Sequence, residues 1–82
     1  EEIKRMPLEN DLMIIIGSKT SANTRRLFQI AKGLNARTYW VRSKKEINPA
    51  WFKDAPNIGV TSGASTPEST TKEVMEFIKS FG

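Results

Sequence analysis

A short apolar run that passes directly into a turn of small polar residues constrains the fold most. Every position from Leu12 to Ile16 is apolar, which is typical of a strand in a parallel sheet covered on both faces. Gly17 begins a turn rich in hydroxyl groups that reaches Thr24, and an amphipathic segment follows. This order predicts a strand, a turn and a helix. The backbone N–H groups at the start of such a helix favour an anion.

The remainder of the chain repeats the strand-then-helix order twice. Residues 37–42 hold the strand-favouring run 38–41, and residues 57–61 contain Ile58 and Val60. Two segments place apolar residues at i, i+3, i+4 and i+7, as one face of a helix requires. They are Leu27, Ile30, Ala31 and Leu34, and then Val74, Phe77, Ile78 and Phe81. The sequence therefore predicts an α/β fold, Rossmann-like and three-layered, with a parallel sheet of three strands in the order 2-1-3 flanked by helices.

Local signals predict where the other elements begin and end. Residues 1–10 are interpreted as the end of a helix, with Ile3 and Met6 on one face, and a connector. We expect Pro7 to end that helix. Gly33 or Asn35 is expected to end the long helix.

Two further caps are predicted later in the chain. Asn48 should cap a short helix that begins at a proline, and Thr66 should cap the last helix, with a proline in its first position. Trp51 and Phe52 are expected to cover the sheet edge. The whole chain, 1–82, is predicted to be one α/β domain.

Composition narrows the chemistry open to the chain. It has no cysteine and no histidine, so no thiolate metal site, thiol nucleophile or imidazole proton shuttle is available. We therefore expect no catalytic residue and no metal ligand here. The net charge of +4, from 13 basic and 9 acidic residues, could favour a phosphate ester, a nucleic acid or an acidic protein, or reflect only solvated lysines. No apolar run approaches the ~20 residues that span a membrane.

Two turns of small polar residues nominate one site. Turns 17–24 and 62–66 follow the first and third strands, and the order 2-1-3 places a switch point between those strands. Hydroxyls, the Asn23 amide and main-chain N–H groups could hold phosphate there, although helix capping is the plain alternative. Arg25 and Arg26 oppose the dipole of their helix unless an anion binds or both point into solvent. Neither nucleotide fingerprint, G-x-x-x-x-G-K-[ST] or G-x-G-x-x-G, is present.

Residues 11–27, 38–41, 48–53 and 58–68 resemble the C-terminal domain of 4-hydroxy-3-methylbut-2-enyl diphosphate reductases. The resemblance implies a piece of a three-domain iron–sulfur enzyme of the non-mevalonate isoprenoid pathway. That enzyme makes isopentenyl and dimethylallyl diphosphate by reductive dehydroxylation. Its 4Fe-4S cluster would be held by cysteines outside this chain, so the chain alone would be inactive. Its implied partners are a diphosphate small molecule and the other domains, in the cytoplasm or, for a plant-type source, a plastid.

By motif, the resemblance assigns diphosphate binding to Ser21, Ala22, Asn23 and Ser65. Ala22 stands where the family usually has a second serine. The missing hydrogen bond to a charged group could cost about 1.5–3 kcal/mol.

The alternative interpretation is a non-catalytic α/β binding or structural module. Such a module could contact RNA through its basic residues, with Tyr39, Trp40 and Trp51 as stacking platforms if they are exposed. Nucleic acid is the less expected partner, and no membrane partner is expected. The basic residues in question are Arg25, Arg26, Arg37, Arg42, Lys44 and Lys45.

Overall fold

The computed structural model describes residues 2–80, of which 2–4 and 6 are described by their backbone alone. The side chains of Ile3 and Met6, and the whole of Phe81, lie outside the described residues. The elements, in chain order, are α1 (Glu2–Glu9), β1 (Leu12–Ile16), α2 (Ala22–Leu34), β2 (Thr38–Val41), two 3-10 turns (Lys44–Glu46 and Pro49–Phe52), β3 (Ile58–Ser62) and α3 (Glu68–Lys79).

The three strands form one parallel sheet in the order β2-β1-β3, which confirms the predicted class and strand order. Ile16, the last residue of β1, pairs with Val41 on one side and Ser62 on the other. The carboxyl ends of all three strands therefore meet at the same edge. The turns that leave β1 and β3 start side by side at that edge.

The central strand is buried along its whole length because each face of the sheet is covered. Met13 and Ile15 pack on one side with Ala31 of α2, and three half-buried residues of the same helix complete that cluster. Leu12, Ile14 and Ile16 point to the other side, where Val74 of α3 packs. An all-apolar strand is thus explained by two separate apolar layers.

The first helix differs from its prediction because α1 continues through Pro7 and ends at Glu9. A proline in a helix removes one backbone donor and commonly ends or kinks it. Here the side-chain amide of Asn35 donates to the carbonyl of Pro7 (3.0 Å) and to that of Asn10 (2.9 Å). Carbonyls at the end of α1 therefore find a partner in a distant loop, and the prediction that the helix ends at Pro7 is wrong.

The caps are partly as predicted. Asn35 ends α2 and Asn48 caps the second 3-10 turn through its side-chain oxygen (3.0 Å from the Ala50 nitrogen). Thr66 does not cap α3, which follows Pro67 and has no side-chain cap. Leu34, predicted on the core face, is 40% exposed at the last position of α2.

The edge strand β2 is covered as predicted. The ring of Trp51 stacks on Tyr39, with 4.1 Å between centroids and 5° between planes. Arg37 donates from its Nη2 to the carbonyls of Trp51 (2.9 Å) and Lys53 (3.3 Å). The second 3-10 turn is thereby tied to the strand that it covers.

Candidate anion-binding site

The first turn is organised by its own side chains. The Ser18 hydroxyl accepts from the Thr20 nitrogen (3.2 Å) and is hydrogen-bonded to the Thr20 hydroxyl (2.8 Å). Ser21 is the N-cap of α2, and its hydroxyl oxygen accepts from the Thr24 nitrogen (3.2 Å). Among the described residues, the backbone N–H groups of Ala22 and Asn23 have no partner. Two donors at the positive end of a 13-residue helix therefore remain available.

The second turn is held by the first turn and by β1. The nitrogen of Gly63 donates to the carbonyl of Ile16 (3.0 Å), and the hydroxyl of Thr66 donates to the same oxygen (3.1 Å). The nitrogen of Ala64 donates to the side-chain oxygen of Asn23 (3.1 Å). Two of these bonds hold the second turn against the end of β1, and the third holds it against the start of α2.

Thr24 sets how closely the two turns approach. It is fully buried, and a Cβ added to Gly17 or to Gly63 would overlap its hydroxyl oxygen. That oxygen is buried without a hydrogen-bond partner within residues 2–80. Glycine is needed at both strand ends because the side chain of Thr24 occupies the space beside each.

The structure brings the predicted site residues into one neighbourhood. Asn23 accepts a hydrogen bond from Ala64, the residue next to Ser65. The triplet Ser21, Ala22 and Asn23 therefore adjoins the second turn. Ala22, Asn23 and Ser65 are exposed, whereas Ser21 is half-buried by its capping role. Their contact with a ligand stays a prediction.

Ser65 also lines a pocket of about 240 Å³ at the carboxyl edge of the sheet. Gly17 and Ser18 form its wall on the β1 side, and Thr66 adjoins Ser65. The residues of the triplet do not line this pocket. The candidate site thus has two parts: the free N–H groups at the start of α2, and the pocket beside Ser65.

Arg42 also lines this pocket, although from the sequence it was expected only among the basic residues of the RNA alternative. It follows β2 directly, so it lies at the same carboxyl edge as the two turns. Its Nη2 and Nε lie 2.8 Å and 2.9 Å from one carboxylate oxygen of Glu46. Its backbone nitrogen donates to the other oxygen. The hydrogen bond between the side chains raises the pKa of Arg42 and lowers that of Glu46. The signal was available, since a residue that ends a parallel strand belongs to the switch-point edge.

Lys19 is engaged with the strand beside its turn. Its ammonium group donates to the backbone carbonyl of Trp40 (3.0 Å). The same group lies 4.4 Å from the centre of the Trp40 indole ring, which is a cation–π arrangement. The indole nitrogen of Trp40 donates to the carbonyl of Gly17 (3.0 Å). Trp40 also contacts Phe28, with 5.4 Å between ring centroids. These contacts tie the first turn to β2.

Stacking platforms for RNA find little support in this arrangement. Tyr39, Trp40 and Trp51 are all half-buried, and each already contacts another ring. Free aromatic faces are what sequence-tolerant binding of single strands requires. RNA contact stays an untested alternative.

The chain offers no donor set that fits an iron–sulfur cluster. It contains no cysteine and no histidine, and residues 2–80 bring together no group of three acidic side chains able to hold a metal. In the same part of the chain, no helix has the length and apolarity needed to cross a membrane.

Fold and site together define an open parallel α/β domain whose candidate ligand cleft lies at the switch point of its sheet. A family model described as LytB protein matches residues 1–79, and the chain belongs to this family. The resemblance noted from the sequence motifs is thereby confirmed.

Named relatives agree with this membership. The chain is 43% identical over 79 residues to a 4-hydroxy-3-methylbut-2-enyl diphosphate reductase of Aquifex aeolicus, covering 96% of this chain and 27% of the relative. It is 45% identical over 82 residues to the enzyme of the same name from Symbiobacterium thermophilum, and this match covers 99% of the present chain and 28% of the relative. The chain therefore spans just over a quarter of the length of these relatives.

Two solved structures share the fold. One, described as (E)-4-hydroxy-3-methyl-but-2-enyl diphosphate reductase, the terminal enzyme of the non-mevalonate pathway, superposes with a TM-score of 0.92 at 42% identity. That match covers 95% of this chain and 28% of the other. The E-1-hydroxy-2-methyl-but-2-enyl-4-diphosphate reductase of Plasmodium falciparum superposes with a TM-score of 0.84 at 26% identity. That match covers 90% of this chain and 23% of the other.

Proposed function

We propose that this chain is the diphosphate-binding part of a 4-hydroxy-3-methylbut-2-enyl diphosphate reductase, without activity of its own. The complete enzyme would reductively remove the substrate hydroxyl to give isopentenyl and dimethylallyl diphosphate. The observation that carries the proposal is the hydrogen bond from the Ala64 nitrogen to the Asn23 side chain. It joins two turns that each present unpaired donors at the switch point of the sheet.

Each assigned residue can supply a donor suited to a phosphate oxygen. Ala22 and Asn23 offer backbone N–H groups at the start of α2, and the Asn23 amide nitrogen remains available because only its oxygen is engaged. The Ser21 hydroxyl accepts within its cap but can still donate its proton. Ser65 adds an exposed hydroxyl from the second turn. Such preorganised donors position a diphosphate and complement its charge.

In this proposal, the reducing centre lies in another part of the complete enzyme. An iron–sulfur cluster would supply electrons in the complete enzyme, but the residues of this chain do not fit such a group. The chain's own contribution is to hold and orient the diphosphate end of the substrate. Other domains of the parent protein are therefore its proposed partners.

The test is a titration of the 82-residue chain with inorganic pyrophosphate, followed by amide chemical shifts. We expect the amides of residues 18–24 and 63–66 to shift first and to saturate together. Ser65→Ala should weaken binding about 10- to 150-fold, because a hydrogen bond to a charged group contributes about 1.5–3 kcal/mol. Ser69→Ala, an exposed serine in the first turn of α3, is the matched control and should bind as the unmodified chain does.

The position of Ala22 sharpens the same test. Ala22→Ser restores a hydroxyl at the site and should tighten pyrophosphate binding. Shifts scattered over the lysines and arginines without saturation at millimolar pyrophosphate would contradict the proposal.

A further inference from the structure

The residues assigned to the diphosphate are all uncharged. Ser21, Ala22, Asn23 and Ser65 provide hydroxyl, amide and backbone donors but no full positive charge. A diphosphate carries several negative charges that these neutral donors must offset. A cation placed at the site would share this task and would make binding depend on the number of phosphate groups.

Arg42 is the basic residue in the wall of the pocket beside Ser65. Lys19, the basic residue of the first turn, donates a hydrogen bond to the carbonyl of Trp40 and lies over the indole ring of the same residue. Arg25 and Arg26 lie on α2 and do not line the pocket. Arg42 therefore differs from these other basic residues because it lines the pocket of the candidate site.

Glu46 holds the Arg42 side chain in this place. The carboxylate engages Nε and Nη2, which leaves the Nη1 donors of the guanidinium uncommitted among the described contacts. A guanidinium held along one edge is preorganised to donate from its other edge. The carboxylate also offsets part of the positive charge, so Glu46 both orients Arg42 and moderates its attraction for anions.

We propose that Arg42 is a further binding residue of this site and contacts one phosphate group of a diphosphate while the two turns hold the other. This inference rests on the proposed function. It goes beyond it by assigning to Arg42 the discrimination between a diphosphate and a monophosphate. Arg42 lines the pocket after β2, and Ser65 and Thr66 line it after β3, on the other side of β1. An anion with two phosphate groups therefore has candidate partners on both sides.

The experiment measures the affinities of the 82-residue chain for inorganic pyrophosphate and for orthophosphate by calorimetry or amide shifts. Arg42→Gln should weaken pyrophosphate binding about 5- to 10-fold and orthophosphate binding less than about 2-fold. Arg42→Lys keeps the charge without the planar fork, so its pyrophosphate affinity should lie between that of the unmodified chain and that of Arg42→Gln. Glu46→Gln should tighten pyrophosphate binding about 2-fold, since the carboxylate no longer offsets the guanidinium.

Lys45→Gln is the matched control because it removes one exposed positive charge close in sequence to Arg42 but outside the pocket wall. It should change pyrophosphate affinity less than about 2-fold. Equal losses from Lys45→Gln and Arg42→Gln would overturn the inference and indicate a general effect of charge.

The two proposals fail in different ways. Pyrophosphate binding by the unmodified chain that Arg42→Gln leaves unchanged overturns the role of Arg42 and leaves the two-turn site standing. Absence of pyrophosphate binding by the unmodified chain overturns both. Circular dichroism of each variant verifies that a lost affinity does not reflect a lost fold.

Discussion

The two turns at the carboxyl edge of the sheet have similar compositions but are held in different ways. In the first turn, Ser18 and Ser21 form hydrogen bonds within three residues of themselves and cap α2. In the second turn, Gly63, Ala64 and Thr66 all bond to residues of β1 or α2, and α3 begins without a side-chain cap. The side chains of the first turn therefore cap their own helix locally, and that turn is also tied to β2. The second turn is held by bonds to β1 and to the start of α2.

This difference shows that small polar residues alone do not define a role. Ser21 caps the helix that follows it, whereas Thr66, at a similar place in its turn, ties that turn to β1 instead. The two turns of the candidate site are brought together by the bond from Ala64 to Asn23 and by the attachment of the second turn to β1. Substitutions that act on the shared contact should therefore affect both turns, and those within the first turn should have local effects.

The largest effect is expected where both turns approach Thr24. Gly63→Ala and Gly17→Ala each introduce a Cβ that overlaps the Thr24 hydroxyl, and such overpacking should cost about 1–3 kcal/mol of unfolding free energy. Gly33→Ala is the matched control because, beyond its chain neighbours and the backbone of its own helix, nothing lies within 4 Å of the added Cβ. That change should stabilise α2 by about 0.5–1 kcal/mol. The measurement is urea denaturation followed by tryptophan fluorescence.

A second variant tests the cause of that effect. Thr24→Ala removes the overlapping atoms and should recover part of the stability lost in Gly63→Ala. Full stability of Gly63→Ala by itself would show that Thr24 does not set the spacing of the turns.

Removal of the local cap should have the next largest effect. Ser21→Ala eliminates the hydrogen bond to the Thr24 nitrogen and should cost about 1 kcal/mol, as for other N-caps. Ser65→Ala, an exposed serine without a capping role, should leave denaturation almost unchanged. Equal losses from the two serines would contradict the local character of the first turn.

The bond between the turns should contribute less, about 0.5–1 kcal/mol, because it is exposed. Asn23→Ala should increase hydrogen exchange at the Ala64 amide while the central amides of α2 keep their protection. Gln29→Ala, an exposed change on the same helix, is the control. Unchanged exchange at Ala64 would show that the second turn does not depend on Asn23.

The smallest effect is expected in the pH dependence of stability that arises from the ion pair of Arg42 and Glu46. Arg42 lowers the pKa of Glu46 from its ordinary 4.5, so the folded state binds a proton less readily than the unfolded state. The pair therefore contributes stability above about pH 4.5, which is lost as pH falls through the lowered pKa. Glu46→Gln should remove this part of the acid dependence, measured by denaturation between pH 3 and 7. An identical acid dependence in the variant would mean that the pair is too exposed to matter.

The fold and the neighbourhood of the site could be predicted because they follow from short-range patterns. The apolar run of β1 requires cover on both faces, and the spacing in α2 and α3 supplies it. Parallel strands in the order 2-1-3 then place both turns at one edge. The helix through Pro7 was not predictable in this way, since its end is satisfied by Asn35, far along the chain.

The sequence by itself determined the class of fold and the edge of the sheet at which the two candidate turns meet. Periodicity and turn residues act over a few positions, and few sheet arrangements are compatible with them. Only the tertiary structure decided that Asn23 joins the second turn, that Thr24 separates Gly17 from Gly63, and that Arg42 enters the pocket wall. Each of these is a contact between residues distant along the chain, and its geometry depends on how the packed layers bring the strand ends together.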